Sequence, residues 1–310
     1  MDEAKTRRNL SDILGRHTKL RRRGREVVGL CPFHGEKTPS FEVNDAKGVY
    51  YCHGCGASGD HFNALMLLDG MAYRDAFTAL TSDEFPDVDP ADRARAIRED
   101  EAARAAAIGD ARYMWGRCVA PVATPAETYL RKVRGISMPL PPSVRFGVVP
   151  TSRDDDGNWK RPYPAVVLAC TDIAGEITGL QRIFLRDDGG GKRWDKAKLS
   201  LGRPRGAAVV LSSNNATEIT TCEGPEDGLS LAQEMPAASV WVALGTAMMP
   251  EMLFPLEVRS VVIARQNDAP AIAATIRATE ALVQRGLAVR PINPAEGFKD
   301  WNDQLRGIRS

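Results

Sequence analysis

The chain has 310 residues, 43% of them apolar and 26% charged, with a formal net charge of +1. That length exceeds what one compact core usually holds, so two or three domains are expected. No apolar run reaches the ~18 residues of a membrane span, and the start "MDEAKTRRNL" is charged, unlike a secretory signal.

The small net charge hides an asymmetry. Residues 1–30 hold nine Lys/Arg against four acids, and residues 180–206 hold eight against three. Residues 209–310 carry twelve acids and eight bases. Two basic stretches and an acidic tail can hold a polyanion while keeping carboxylates for a metal, although charge alone favours the plainer reading of solvated faces.

In chain order, "LSDILGRHTKL" spaces Leu10, Ile13 and Leu14 for a short helix with Ser11 as its cap. "RRRGREVVGL" reads as a basic turn entering a strand, and "SFEV" and "VYYC" as two short strands. Asp60 caps a helix whose face is Phe62, Leu65, Leu68 and Met71. From Thr81 to Asp110 an acidic, then Ala-rich stretch reads as a linker running into a helix. "TPAETYLRKVRG" predicts a further helix with Thr124 as cap, Pro125 in the first turn, Glu127 completing a capping box and Gly135 as the stop. Strands and turns follow to Leu211. "DDGGGK" reads as a hairpin loop, because the second half of a P-loop is missing. The last hundred residues alternate strand and helix, the rhythm of an α/β domain with a mainly parallel sheet.

Three of the six cysteines and three of the four histidines crowd into residues 31–61. Cys31, His34, Cys52 and Cys55 give C-x₂-H-x₁₇-C-x₂-C, two tight knuckles joined by a loop long enough for a two-stranded ribbon. Four thiolate and imidazole ligands suit a closed, structural Zn²⁺ site. His53 and His61 are expected at the surface or behind the ligands. Phe41 and Tyr51 are expected to form the ribbon's small core, leaving Tyr50 on the opposite face to stack on an unpaired base. Cys118, Cys170 and Cys222 are scattered and fit buried reduced thiols, so a reducing cytoplasm is expected.

The segment "DILGRHTKLRRRGREVVGLCPFHGEKTPSFEVNDAKGVYYCHGCGASGD" resembles the amino-terminal zinc domain of DnaG-type primases. The resemblance implies a ribbon that engages single-stranded template DNA, with Arg21, Arg22, Arg23, Arg25, Lys37 and Tyr50 facing it.

In the acidic region, "ITTCEGPEDGLSLAQ" puts Glu223 just after an apolar strand and Asp227 at a helix start. "SVVIARQNDAP" puts Asp268 beyond another strand, and "GFKDWNDQL" adds Asp300 and Asp303. Parallel strands end on one edge, so Glu223 and Asp268 can converge there, and clustered carboxylates without histidine suit Mg²⁺ or Mn²⁺. Solvated strand-end acids are the alternative. "EGPEDGLS" and "KDWNDQL" are similar to motifs of the Toprim domain, and "GEITGLQRIFL" and "KAKLSLGRPRG" resemble the basic subdomain that precedes it in primases. The resemblance implies Glu223 as acid/base or metal ligand, Asp268 as metal ligand, Asp300 at the metal site and Asp227 among the catalytic acids. It also implies Arg182 and Lys198 holding phosphates. One departure stands out: Gln266 occupies the place of the first aspartate in the family's D-x-D, and Ala271 that of a usual glycine. Asp303 or Glu226 are the candidates to compensate.

The expected architecture is an α+β multidomain chain. It comprises a zinc ribbon (1–80), an acidic linker and helix (81–120), a basic strand-rich primase subdomain (121–208) and an α/β Toprim domain (209–310). The implied activity is synthesis of short RNA primers from ribonucleoside triphosphates on single-stranded DNA by metal-dependent nucleotidyl transfer. The alternative is a non-catalytic single-stranded DNA-binding accessory protein with a degenerate Toprim site. The chain ends soon after "WNDQL", so a replicative helicase is expected as a separate polypeptide.

Overall fold

A computed structural model describes residues 7–23, 26–82 and 88–309. It divides into two compact units, residues 1–105 and 106–310. Among the described residues no helix is long and apolar enough to cross a membrane.

The first unit is a five-stranded antiparallel sheet with short helices. Strands β1 (Leu20–Arg23), β2 (Glu26–Gly29), β3 (Phe41–Asn44), β4 (Val49–Cys52) and β5 (Ser58–Gly59) lie in sequence order. Helix α1 (Leu10–Leu14) buries Leu10, Ile13 and Leu14 as their spacing requires. Its cap position is Asn9, and Ser11 instead donates through its N–H and hydroxyl to Asp45, at 2.8 and 2.6 Å. Helices α2 (His61–Leu68) and α3 (Tyr73–Thr81) complete the core. Asp60 caps α2 by accepting from the N–H groups of Phe62 and Asn63, and the Asn63 side chain returns the bond. Phe62 and Leu65 are buried, with Leu68 and Met71 partly buried against the same cluster.

Register decides which aromatic faces the core. Phe41 pairs with Cys52 and Val43 with Tyr50, so these four share one face. Successive strand residues point to opposite faces, which sends Tyr51 to the other side. Tyr50 is 2% exposed and stacks on Phe33 at 5.2 Å. The expected roles of the two tyrosines are therefore exchanged: Tyr50 belongs to the core with Phe41, while Tyr51 is half-buried beside His53. His61 is also fully buried, its Nε2 bonded to the Arg8 carbonyl, so it is neither a surface group nor a support to the metal ligands.

Helix α4 (Pro90–Gly116) runs through the boundary between the units. In the second unit, helix α5 (Pro125–Thr128) is four residues long and passes into a single π turn, Tyr129–Val133. Thr124 occupies the cap position without a side-chain cap bond, and Glu127 reaches back to the Ala123 N–H at 2.7 Å. The capping box is thus shifted by one residue. Gly135 follows with φ of +70°, the left-handed stop its sequence position predicts.

Strands β6 (Val144–Pro150), β7 (Pro162–Thr171), β8 (Ile177–Phe184) and β9 (Lys198–Gly202) form an antiparallel meander. The last sheet contains β10 (Val209–Val210), β11 (Glu218–Cys222), β12 (Ser239–Val242), β13 (Ser260–Ala264) and β14 (Ala288–Ile292). Its order is β10-β12-β11-β13-β14, parallel except for β10. Strands β12 and β13 are near-continuous, largely buried apolar runs, and helices α6 (Pro225–Glu234), α7 (Ala269–Gln284) and α8 (Trp301–Arg306) accompany the sheet. Cys222 lies level with Ala264, so the chain leaves β11 and β13 on the same edge. The mixed α+β plan of ribbon, strand-rich middle and α/β end is as the sequence predicts.

Candidate functional site

Two sites emerge, one in each unit. In the first, Cys31, His34, Cys52 and Cys55 bring their ligand atoms within 4.8 Å of one another. The Cys31 and Cys55 sulfurs are 3.8 Å apart, and Cys52 Sγ lies 3.7 Å from His34 Nδ1. Glu36, between the knuckles, organises the set. Its carboxylate accepts from Cys31 N–H at 2.7 Å, Ser40 N–H at 3.1 Å and the Ser40 hydroxyl. It also lies 3.4 Å from His34 Nε2, leaving Nδ1 to face the sulfurs. The donor set fits a structural Zn²⁺ with no open position.

Around this site the basic strand is exposed: Arg21, Arg22 and Arg23 project from β1, the sheet's edge strand, and Lys37 is exposed as well. Arg25 lies outside the described residues.

The second site is built where β11 and β13 end. The turn after β11 carries Glu223, and Gly224 caps α6 so that Glu226 and Asp227 fall in its first turn. The loop before α8 is sewn to the end of β13. Asn267 N–H donates to the Lys299 carbonyl at 2.8 Å and its side chain to the Phe298 carbonyl at 2.8 Å, while Trp301 Nε1 donates to the Arg265 carbonyl. This brings Asp300 beside Asp227. A cavity of about 110 Å³ is lined by Arg134, Lys192 and Lys198 together with Glu223, Glu226, Asp227 and Asp300. Gln266 and Asn302 complete its polar lining.

Charges in this cavity are paired unevenly. Glu226 is buried and meets Lys198 Nζ at 2.6 Å, Lys192 Nζ at 3.0 Å and Arg134 at 3.9 Å, and accepts from the Tyr129 hydroxyl at 3.1 Å. Burial alone would push its carboxyl up, but Lys198 and then Lys192 outweigh that and hold it down at about 2. Asp227 is pushed the other way, up to about 6, by burial and by the nearby Asp300. Burial also raises Glu223; Lys198 opposes the rise and Asp268 adds to it. Among the described residues neither oxygen of Glu223 accepts a hydrogen bond.

The cavity thus collects Glu223, Asp227, Asp300 and Lys198 from the expected set. Asp268 is outside its lining, caps α7 through the Ala271 N–H, and faces Glu223 electrostatically. The acids do not form a finished cage: among the described residues, only the zinc ligands bring three or more such donor atoms within 4.8 Å. A partly desolvated carboxylate that accepts no hydrogen bond among the described residues, acted on by Asp268 and sharing its cavity with Asp300, still fits a hard cation, which would draw the three together. Arg182 is a correction. It is 2% exposed, donates to the Pro150 and Ser200 carbonyls within its own sheet, and cannot reach a phosphate from there. Nor do the compensating acids serve: Glu226 is consumed by lysines, and Asp303 lies along α8 toward Arg306 at 3.9 Å.

Arg134, Lys192, Tyr129 and Asn302 were not legible as site residues. Lys192 sits on the Gly-rich hairpin, and Arg134 in the turn after the π segment. Arg134 Nε donates to the Tyr129 hydroxyl at 2.8 Å, and Asn302 joins Arg134, Ser230 and Asp227 through four hydrogen bonds.

Against known families, residues 1–95 match the CHC2 zinc finger and residues 218–308 the Toprim domain. Residues 105–211 match a domain of unknown function. A DNA primase of Listeria innocua is 26% identical over 99% of this chain and 55% of its own length. A DNA primase of Synechocystis is 49% identical over 24% of this chain and 12% of its own. The zinc-binding and RNA polymerase domains of the Aquifex aeolicus primase align with a TM-score of 0.44 at 19% identity, covering 99% of this chain and 82% of that one. The chain spans about half the length of the relatives it matches end to end. It is a protein that joins a CHC2 zinc finger to a Toprim domain through a strand-rich middle. That pairing on one chain, with DNA primases matching along nearly all of it, supports a DnaG-type primase.

Proposed function

We propose that the chain synthesises short RNA primers on single-stranded DNA from ribonucleoside triphosphates. The observation that carries the reading is the cavity of the second site, where three cations share one small space with Glu223, Glu226, Asp227 and Asp300. Arg134, Lys192 and Lys198 offer a triphosphate its counter-charges, and Glu226 keeps the three converged before a nucleotide arrives. Glu223, Asp268 and Asp300 would hold Mg²⁺ or Mn²⁺, which when bound supplies Lewis-acid neutralisation of the phosphate charge. In this reading Glu223 takes the proton of a primer 3′-hydroxyl on the carboxylate oxygen that the ion leaves free, as the hydroxyl oxygen bonds to the α-phosphorus and the bond to pyrophosphate breaks. Arg21, Arg22, Arg23 and Lys37 track the template's phosphates, and Tyr51, half-buried on the face opposite Tyr50, offers a ring to a base. A separate helicase is the partner proposed for opening the duplex, in a cytoplasmic setting.

One observation favours a second reading. Gln266 is neutral and tied to Asp227, so the chain would be a non-catalytic single-stranded DNA-binding accessory protein if that substitution removes the chemistry. The test is primer synthesis on mixed-sequence single-stranded DNA with labelled ribonucleotides and Mg²⁺ or Mn²⁺, beside Glu223→Gln. Short products that vanish in the variant support the primase. No products from a zinc-loaded, DNA-binding parent make the accessory reading the better one.

A further inference from the structure

Besides Glu226, which the lysines hold, four acids gather where β11 and β13 end, but their oxygens are not equally available. Gln266 Nε2 donates to Asp227 Oδ2 at 2.7 Å. An ionised carboxylate only accepts, so the amide must present its nitrogen there. The other oxygen, Oδ1, accepts from the Asn302 N–H at 3.2 Å. Asn302 is itself fixed, donating to the Arg134 carbonyl at 2.8 Å and to Ser230 Oγ at 3.0 Å. Asp227 is therefore held on both oxygens by donors of its own chain. By contrast, Glu223 accepts no hydrogen bond among the described residues. Asp268 and Asp300 each spend one oxygen on a helix cap, on Ala271 N–H and Asp303 N–H, and keep the other.

We propose that Gln266 takes Asp227 out of the cation-binding set, so that this site holds one divalent ion, on Glu223, Asp268 and Asp300. Hard-cation sites are assembled by counting carboxylate charges. Gln266 brings no charge, and its N–H dipole points at the oxygen a second ion would need. A second ion beside Asp227 would have to break that hydrogen bond and then face the donor that made it. Asp227 acts instead as a fixed acceptor, a positioning residue that ties α6 to the start of α8 through Asn302. The inference rests on reading the acids as a Toprim metal site, and it holds whether or not primers are made.

The test counts ions rather than products. The zinc-loaded 310-residue chain is titrated with Mn²⁺, with free Mn²⁺ read by electron paramagnetic resonance and heats by calorimetry. The parent is expected to bind one Mn²⁺ per chain, and Glu223→Gln to weaken it by about a hundredfold, as loss of a charged ligand should. Asp227→Asn is expected to keep one ion with affinity within about threefold, since an amide oxygen still accepts from Asn302. Gln266→Asp adds a carboxylate beside Asp227 and is expected to admit a second ion. Two ions in the parent, none in the parent, or loss of the ion in Asp227→Asn would each overturn the proposal, as would a single ion in folded Gln266→Asp. Tryptophan emission checks that each variant is folded; if Gln266→Asp is not, Asp227→Asn decides. A parent that binds one Mn²⁺ but makes no primers sinks the primase reading and leaves this inference standing.

Discussion

Lys198 Nζ lies 2.6 Å from Glu226 Oε2, and that carboxylate is shared with Lys192 at 3.0 Å. An acid from the first turn of α6 thus holds two lysines from the strand-rich middle. Removing it leaves two partly buried ammonium groups and Arg134 without their counter-charge. Loss of one partner from a buried ion pair costs about 3–5 kcal/mol. Glu226→Gln is therefore expected to lower the urea midpoint of the second unit sharply. All five tryptophans lie past residue 105, so their fluorescence reports that unit alone.

The same carboxylate sets an acid limit. Its folded value, about 2, lies below its ordinary value of 4.5. The resulting stabilisation, about 3 kcal/mol, is fully present above pH ~4.5 and is lost as pH falls toward ~2. Tryptophan-monitored unfolding should show that loss in the parent and not in Glu226→Gln.

Asp227 gives the opposite slope. Its folded value of about 6 exceeds its ordinary 3.8, so the folded chain binds the proton more tightly than the unfolded one. Stability should rise as pH falls from ~7 toward ~4, by about 3 kcal/mol. Asp227→Asn should be the more stable protein at pH 7.5 without added Mg²⁺, and should lose this slope. A parent flat between pH 7 and 5 would contradict the burial argument.

What was legible in the sequence follows from range. The zinc ligands sit at fixed spacing within 25 residues, and Asp60 caps a helix that begins at the next residue, so local pattern suffices. The parallel sheet was legible because short strand-like runs such as Ser239–Val242 and Ser260–Ala264 alternate with helical stretches. Tyr50 and Tyr51 were exchanged because adjacent strand residues differ only in register, which the pairing of Val43 with Tyr50 decides. Arg134, Lys192 and Asn302 were missed because each becomes a site residue only through partners 34 to 168 positions away. Arg182 was misread because a basic residue in a basic stretch says nothing of which way its strand turns it.

Gly189 allows a test of the hairpin that carries Lys192. Its φ is +72°, and a Cβ there would overlap the Pro125 carbonyl oxygen and press on Thr128. Gly189→Ala must shift either the hairpin or the turn before Arg134, with backbone and overpacking costs of about 1–3 kcal/mol. If Lys192 holds phosphate, the KM for ribonucleotides should rise about tenfold, an energy of about 1.4 kcal/mol. DNA affinity should be unchanged. An unaltered KM in a folded variant would remove Lys192 from the nucleotide site.

The exchange of the two ribbon tyrosines separates stability from DNA binding. Tyr50 is packed between Phe33 and Phe41, with ring centroids at 5.2 and 5.4 Å. Tyr50→Ala should cost about 3–5 kcal/mol and lower zinc retention against a competing chelator, because Cys52 shares its strand and its face. Tyr51 is half-buried on the other face, with His53 edge-on at 5.0 Å. Tyr51→Ala should leave zinc content intact and weaken single-stranded DNA binding by about 1–3 kcal/mol, the usual worth of one stacked base. Fluorescence anisotropy of a labelled oligonucleotide reads the affinity, and metal analysis reads the zinc. If Tyr51→Ala binds DNA as the parent does, the ribbon meets DNA through its arginines and Lys37 alone, and the salt dependence of the affinity should then account for all of it.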